Sequence, residues 1–114
     1  MHEIGIASEI LRTCRGETAR RQGARLVGVT VQVGVLSGVD TDALRFAWDV
    51  LVHDEKGPAL TLEIQVVPRR NCCQDCGCEF DSGIYGAPCP DCTSGNSRLL
   101  GGDELQLVSV EVEE

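Results

Sequence analysis

Cys73-Gln74-Asp75-Cys76, followed by Cys89-Pro90-Asp91-Cys92, decides the architecture of this chain. Each pair puts two thiolates within reach of one metal ion, and the stretch between the pairs is long enough to fold back. Two such arms converge on a tetrahedral, all-sulfur site, which suits zinc and leaves no open coordination position. Paired C-x-x-C motifs at this separation are a strong signal, whereas a single pair is a weak one. A closed site of this kind holds a fold together, so structural zinc is the first reading. A redox dithiol is the rival, but the second pair and the lack of a thioredoxin-like pattern speak against it. Cys72 and Cys78 compete for ligand duty. Pairing Cys73 with Cys76 keeps the two-residue gap that lets backbone amides hydrogen-bond the thiolates. The zinc quartet is therefore Cys73, Cys76, Cys89 and Cys92, with Cys72 and Cys78 spare.

Around the quartet, residues 70–98 are rich in Gly, Asp and Pro and poor in large apolar side chains. Such a segment builds no core without its metal, so folding and metal binding are coupled there. Upstream, Ile4, Ala7, Leu11 and Cys14 follow helical spacing, with Ile10 widening the stripe, and predict a helix over 4–22 that Gly23 stops. Cys14 sits on that stripe as a core residue. Val27, Val29, Val31, Val33 and Val35 alternate with small or polar residues and predict a half-buried strand. A second helix begins near Asp40-Thr41-Asp42, where Asp40 or Thr41 caps it and Asp42 complements the dipole. Leu44, Ala47, Trp48, Leu51 and Val52 form its apolar face, and Lys56-Gly57-Pro58 marks the turn beyond. Leu60, Leu62, Ile64 and Val66 give a second strand that Pro68 closes. In the last strand Leu105 and Leu107 share one face while Val108, Val110 and Val112 continue on the other, which predicts a bulge or burial on both sides. The fold class is α+β: a three-stranded sheet with two helices, plus a zinc ribbon inserted before the last strand. The expected domains are 1–69 with 99–114, and the ribbon at 70–98.

The chain has 114 residues and a formal net charge of −8. Zinc ribbons that bind nucleic acid need a basic footprint. Between residues 70 and 98 there are two arginines, Arg70 and Arg98, against Asp75, Glu79, Asp81 and Asp91, a balance that argues against a phosphate backbone as partner. Seven cysteines, an odd number, fit a disulfide framework poorly and a reduced, metal-loaded cytoplasmic protein better. No segment has the roughly 20 apolar residues of a membrane span, and the early acid argues against a signal peptide. His53 near the end of helix two has no nucleophile assigned to it. No phosphate loop, dinucleotide fingerprint or Ser/His/Asp set is present, so the chain does not read as an enzyme.

The N-terminus holds a second candidate metal site. The α-amine of Met1, the amide that follows it and a ring nitrogen of His2 can chelate one divalent ion in five- and six-membered rings. The amide of Glu3 completes a planar nitrogen set, which favours Ni(II) or Cu(II) over zinc. On the residues alone the plainer reading stands: His2 as an exposed second residue, Glu3 as a helix-start acid and Asp40 as a cap.

Met1-His2-Glu3, the stretch Val33-Gly34-Val35-Leu36-Ser37-Gly38-Val39, Leu44 with Phe46, Cys73, Cys76-Gly77, Cys89-Pro90, Cys92, and Gly102 to Val112 with Glu104-Leu105 together resemble the HypA/HybF family. The resemblance covers essentially the whole chain. It implies a nickel metallochaperone of [NiFe]-hydrogenase maturation, with nickel bound by the Met1 amine, His2 and the Glu3 backbone, and zinc by the quartet. It implies a nickel-site association for Glu3 and for Asp40. It also implies partners: a HypB-type GTPase, the hydrogenase large subunit that receives the ion, and, for some members, urease maturation proteins. The alternative is a zinc-ribbon protein-interaction module that transfers no metal. It makes no use of Met1-His2-Glu3.

Overall fold

The computed structural model describes residues 2–53 and 60–114. The expected turn at Lys56-Gly57-Pro58 and the Met1 amine lie outside the described residues. Helix α1 spans Glu3–Ala19, strand β1 Arg25–Gly34, helix α2 Thr41–Val52 and strand β2 Thr61–Val67. Strands β3 (Arg69–Cys73), β4 (Glu79–Ser82), β5 (Ser97–Gly101) and β6 (Leu105–Glu113) follow. One sheet has the order β2-β1-β6, with β1 and β2 parallel and β6 antiparallel. A parallel pair needs a crossover, and α2 supplies it. The expected α+β class is therefore what the chain adopts. The second sheet, β4-β3-β5, gives the ribbon three strands that periodicity did not reveal. They are only four or five residues long, too short for an alternation to show.

Helix α1 ends three residues before the expected boundary at 22. Its last turn tightens, with the amides of Arg20 and Arg21 bonding the carbonyls of Glu17 and Thr18 at 3.3 and 3.0 Å. Gly23 then takes a positive φ of 79°, where a side chain would be strained. Helix α2 begins at Thr41 because Asp40 caps it: its Oδ1 accepts from the amides of Asp42 and Ala43 at 3.0 and 3.1 Å. Ala7, Leu11 and Cys14 of α1, Leu44, Ala47 and Trp48 of α2, Leu62 of β2 and Val29, Val31 and Val33 of β1 make one buried cluster. Trp48 is buried whole because its indole nitrogen donates to the Leu60 carbonyl at 3.1 Å, which removes the cost of hiding that donor.

The phase slip in the last strand is a bulge. Thr30 pairs with Ser109 and Val31 with Leu107, so Val108 is the extra residue. This insertion brings Leu105, Leu107, Val110 and Val112 opposite Val33, Val31, Val29 and Leu26, on one side of the sheet. A second shift between Leu26 and Gly28 makes Val27 the extra residue of β1. Leu26, not Val27, packs against the core there, which corrects the expectation that Val27 shares the face of Val29. The alternation across Val27 is real in the sequence, but the bulge reverses its phase.

The two sheets meet where backbone crosses backbone. The amide of Gly34 donates to the Glu104 carbonyl and that of Leu36 to the Gly102 carbonyl, both at 2.7 Å. A Cβ on Gly34 would lie 2.1 Å from the Gly102 carbonyl oxygen, and one on Gly102 would lie 2.8 Å from Arg69 Cα. Neither contact has a flexible side chain that could give way. Gly34→Ala is expected to cost about 2–3 kcal/mol as an overpacked site, read as a lowered urea midpoint. An unchanged midpoint would show that the crossing can relax.

Candidate metal centre

The turns after β3 and before β5 carry the cysteine pairs. Gly77, with φ 81°, lets the first turn close, and its amide donates to the Cys73 carbonyl at 2.9 Å. The second turn is built the same way, with the amide of Thr93 on the Cys89 carbonyl at 2.9 Å. Each turn aims backbone amides at its first sulfur: those of Cys76 and Asp75 at Cys73, and those of Cys92 and Asp91 at Cys89. Two further bonds tie the turns together: the Gln74 amide to the Asn96 carbonyl at 2.8 Å, and the Ser94 hydroxyl to Asp75 Oδ2.

The sulfurs of Cys73, Cys76, Cys89 and Cys92 all lie within 4.8 Å of one another. Cys73 to Cys92 and Cys76 to Cys89 are each 3.5 Å. A tetrahedron with metal–sulfur bonds of ~2.3 Å has edges of about 3.8 Å, so the sulfurs already stand near the spacing that zinc needs. Four soft donors with no carboxylate or imidazole among them suit zinc rather than magnesium or calcium. Cys73 and Cys89 are buried, while Cys76 and Cys92 are exposed. Cys72 and Cys78 stand outside the group. Cys72 Sγ lies 3.8 and 3.9 Å from the carbonyls of Cys73 and Gly77, and Cys78 Sγ lies 3.7 Å from that of Glu79.

The thiols divide by position. Cys89 is drawn down to about 7, chiefly by the Cys92 amide, against the effect of burial. Cys73 is lowered for the same reason, by the Cys76 amide. The Cys78 amide favours a Cys76 thiolate, but the neighbouring Cys89, burial, Cys92 and Cys73 together push Cys76 up to about 12. Cys92 is helped by the Ser94 amide and yet raised, first by Cys73. Four thiolates so close repel one another, and a dication removes that conflict. Zinc binding near neutral pH is therefore expected to release at least two protons, those of Cys76 and Cys92, visible as a buffer-dependent heat in calorimetry. Its affinity falls as the pH falls. Cys78→Ser is expected to keep one zinc per chain by native mass spectrometry, and Cys76→Ser to lose it.

At the other end, the structure brings together two acids 37 residues apart. Glu3 opens α1, and its Oε2 accepts from the Asp40 amide at 3.1 Å. That bond is the first cause of the lowered Glu3 pKa. Asp40 caps α2 through Oδ1 and takes no hydrogen bond on Oδ2 among the described residues. His2 is exposed and extended, its ring makes no capping bond, and its carbonyl accepts from the Gly5 and Ile6 amides at 3.1 and 3.2 Å. The Glu3 amide, at the first helical position, has no intrahelical acceptor. Beside these residues Ile4, Phe46 and Val50 lie exposed along one shallow cleft. Periodicity gave no sign that Glu3 and Asp40 meet, since the contact is set by the packing of α1 on α2. Replacing Asp40 by Ala is expected to cost about 1 kcal/mol of stability as a lost cap, with Asn costing little, measured by urea denaturation.

A small α+β body joined to a short-stranded ribbon that gathers four thiols has the build of a metal-binding protein. The chain matches, over residues 1–112, the family described as hydrogenase/urease nickel incorporation, metallochaperone, HypA. It is 35% identical over 113 residues to the hydrogenase maturation factor HypA of Geobacter metallireducens, covering 99% of this chain and 100% of that one. It is 36% identical to the HypA of Syntrophus aciditrophicus, again over 99% and 100%. The solution structure of the Ni metallochaperone HypA from Helicobacter pylori shares the fold, with a TM-score of 0.60, 24% identity and 97% coverage of each chain. The chain belongs to the HypA family of nickel-incorporation metallochaperones. No helix among the described residues is long and apolar enough to cross a membrane.

Proposed function

We propose that this chain carries Ni(II) as cargo at its N-terminus and delivers it to the [NiFe]-hydrogenase large subunit during maturation, while zinc fixes the ribbon. The observation that carries this reading is the division between two ends of the molecule. One end has four sulfurs closed on each other. The other has an exposed His2 and, beside Glu3, an Asp40 oxygen that takes no hydrogen bond among the described residues. A carrier must capture its ion and also surrender it. A terminal chelate of the Met1 amine, His2 and the Glu3 amide is open on one side to an incoming ligand, whereas a closed thiolate cage is not. Asp40, near the chelate, is a further candidate ligand for an intermediate stage of exchange.

On this reading the α/β part, 1–69 with 99–114, handles nickel and the ribbon, 70–98, holds zinc through Cys73, Cys76, Cys89 and Cys92, with the ribbon's strands running on to Arg69 and Gly101. Release proceeds by ligand exchange with a partner at the α1–α2 end, where Ile4, Phe46 and Val50 offer exposed apolar surface. A HypB-type GTPase and the large subunit are the partners this family implies, with urease maturation proteins as further clients, in the cytoplasm. The chain's role is transfer, not catalysis.

Two changes test the carrier. His2→Ala and an N-terminal extension each remove one part of the chelate, and each is expected to lower nickel affinity at least tenfold while one zinc per chain remains by native mass spectrometry. Nickel affinity unchanged by both would favour the ribbon as a plain interaction module. Acid is expected to promote nickel release, because protons compete for the amine and the imidazole. Nickel titrations at stepwise lower pH check the sign.

A further inference from the structure

Strand β3 places Arg69, Asn71 and Cys73 at alternate positions, so all three face one side of the second sheet. Cys73 belongs to the sulfur group. Arg69 and Asn71 open instead on a separate cleft of about 390 Å³, lined also by Tyr85, Gly86, Pro88 and Ser97. Nothing in the metal chemistry uses it.

The cleft holds hydrogen-bond donors in excess of acceptors. Arg69 Nε donates to Asn71 Oδ1 at 3.0 Å, and Nη1 reaches the Ile84 carbonyl at 3.4 Å. Both acceptors are uncharged. No carboxylate pairs with Arg69 among the described residues, while Arg70 next to it pairs with Asp81 at 2.8 Å. A guanidinium has five donors in a planar fork, so the outer edge of Arg69 is open to an acceptor. The Ser97 hydroxyl is buried and has no hydrogen-bond partner among the described residues. An orphan buried hydroxyl costs free energy unless a ligand or water satisfies it.

The guanidinium is held in place rather than loosely tethered. Asn71, 2% exposed, donates through Nδ2 to the carbonyls of Arg69 and Phe80, both at 3.3 Å, and to Ser82 Oγ at 2.9 Å. Its Oδ1 is thereby fixed toward Arg69 Nε. Gly86, with φ 82°, has no side chain to crowd the fork, and a Cβ there would lie 3.4 Å from Arg69 Cζ and Nη1. At the rim stands Tyr85, 96% exposed. A fixed arginine beside an exposed tyrosine is the composition of a protein-recognition centre.

We propose that this cleft is a docking site for an acidic side chain of a protein partner, its carboxylate received by the Arg69 fork and the Ser97 hydroxyl. An ordered fork binds a carboxylate through two parallel bonds with little further loss of side-chain freedom. The chain's net charge of −8 gives no general attraction for acidic partners. Recognition therefore rests on this local geometry, and the exposed Tyr85 ring favours a carboxylate flanked by hydrophobic residues.

The test uses the full, zinc-loaded chain and the probe acetyl-Gly-Leu-Asp-Leu-Gly-amide, followed by heteronuclear NMR. Millimolar peptide is expected to shift the Arg69 Nε–H and the amides of Tyr85 and Ser97. The Asn counterpart is expected to bind about tenfold more weakly, because a charge-assisted pair is lost. Ser97→Ala should weaken the Asp peptide severalfold with zinc content unchanged, and Arg69→Gln should abolish the shifts. Because the Asp and Asn peptides are compared on the unaltered chain, the result stands even if Arg69→Gln fails to fold. Equal affinity for the two peptides, shifts elsewhere only, or unchanged affinity in Ser97→Ala overturns the proposal. Sodium acetate binding as tightly as the peptide also overturns it, since the cleft would then be a small-carboxylate site and not a docking one.

Discussion

Four sulfur atoms crowded within 4.8 Å are the constraint on which the second half of this molecule depends. The buried apolar residues of that half are Cys73, Phe80 and Cys89, and two of the three belong to the sulfur group itself. Three short strands with one buried phenylalanine cannot offset the conformational entropy of ordering the chain between β3 and β5. The backbone deals with the sulfurs one pair at a time, by turning two amides onto the first cysteine of each pair. That favours one thiolate per turn and leaves the second of each pair opposed by its neighbours. The sulfurs thus stand near the spacing a metal needs while their charge is unbalanced, which is the conflict a bound dication would remove.

The first half is organised differently. Its core is ordinary side-chain packing, with Trp48 and Leu44 of α2 and Leu11 of α1 set against the valines of β1. What that packing accomplishes for function is to bring two helix starts together, so that Glu3 of one bonds the Asp40 amide of the other. Exposed His2 therefore stands directly before a contact that joins the two helix starts. Between the halves the chain passes glycine against glycine, at Gly34 and Gly102. The close approach lets β1 bond the segment between β5 and β6 directly, tying the ribbon's exit to the central strand of the first sheet.

Much of this was legible beforehand because the signals are local. The C-x-x-C spacing fixes which sulfurs a turn can present, the valine alternation marks β1, and the slip at Val108 allows a bulge or burial on both sides, between which the pairing with β1 decides. The compensating bulge at Val27 was not legible, since an unbroken run of alternating valines hides an extra residue that only the pairing with β6 defines. Nor were β3, β4 and β5, whose few residues carry no period.

The sequence by itself determined the α+β class and which four cysteines gather, and it raised the N-terminus as a second candidate metal site. It did so because helix periodicity, strand alternation and turn spacing are properties of neighbouring residues. The hydrogen bond that joins Glu3 to the Asp40 amide, and the cleft of Arg69, Asn71 and Ser97 on the ribbon, were decided by the tertiary structure. Each joins residues from different elements, and their distances come from helix packing and strand register, quantities that no short stretch of chain contains.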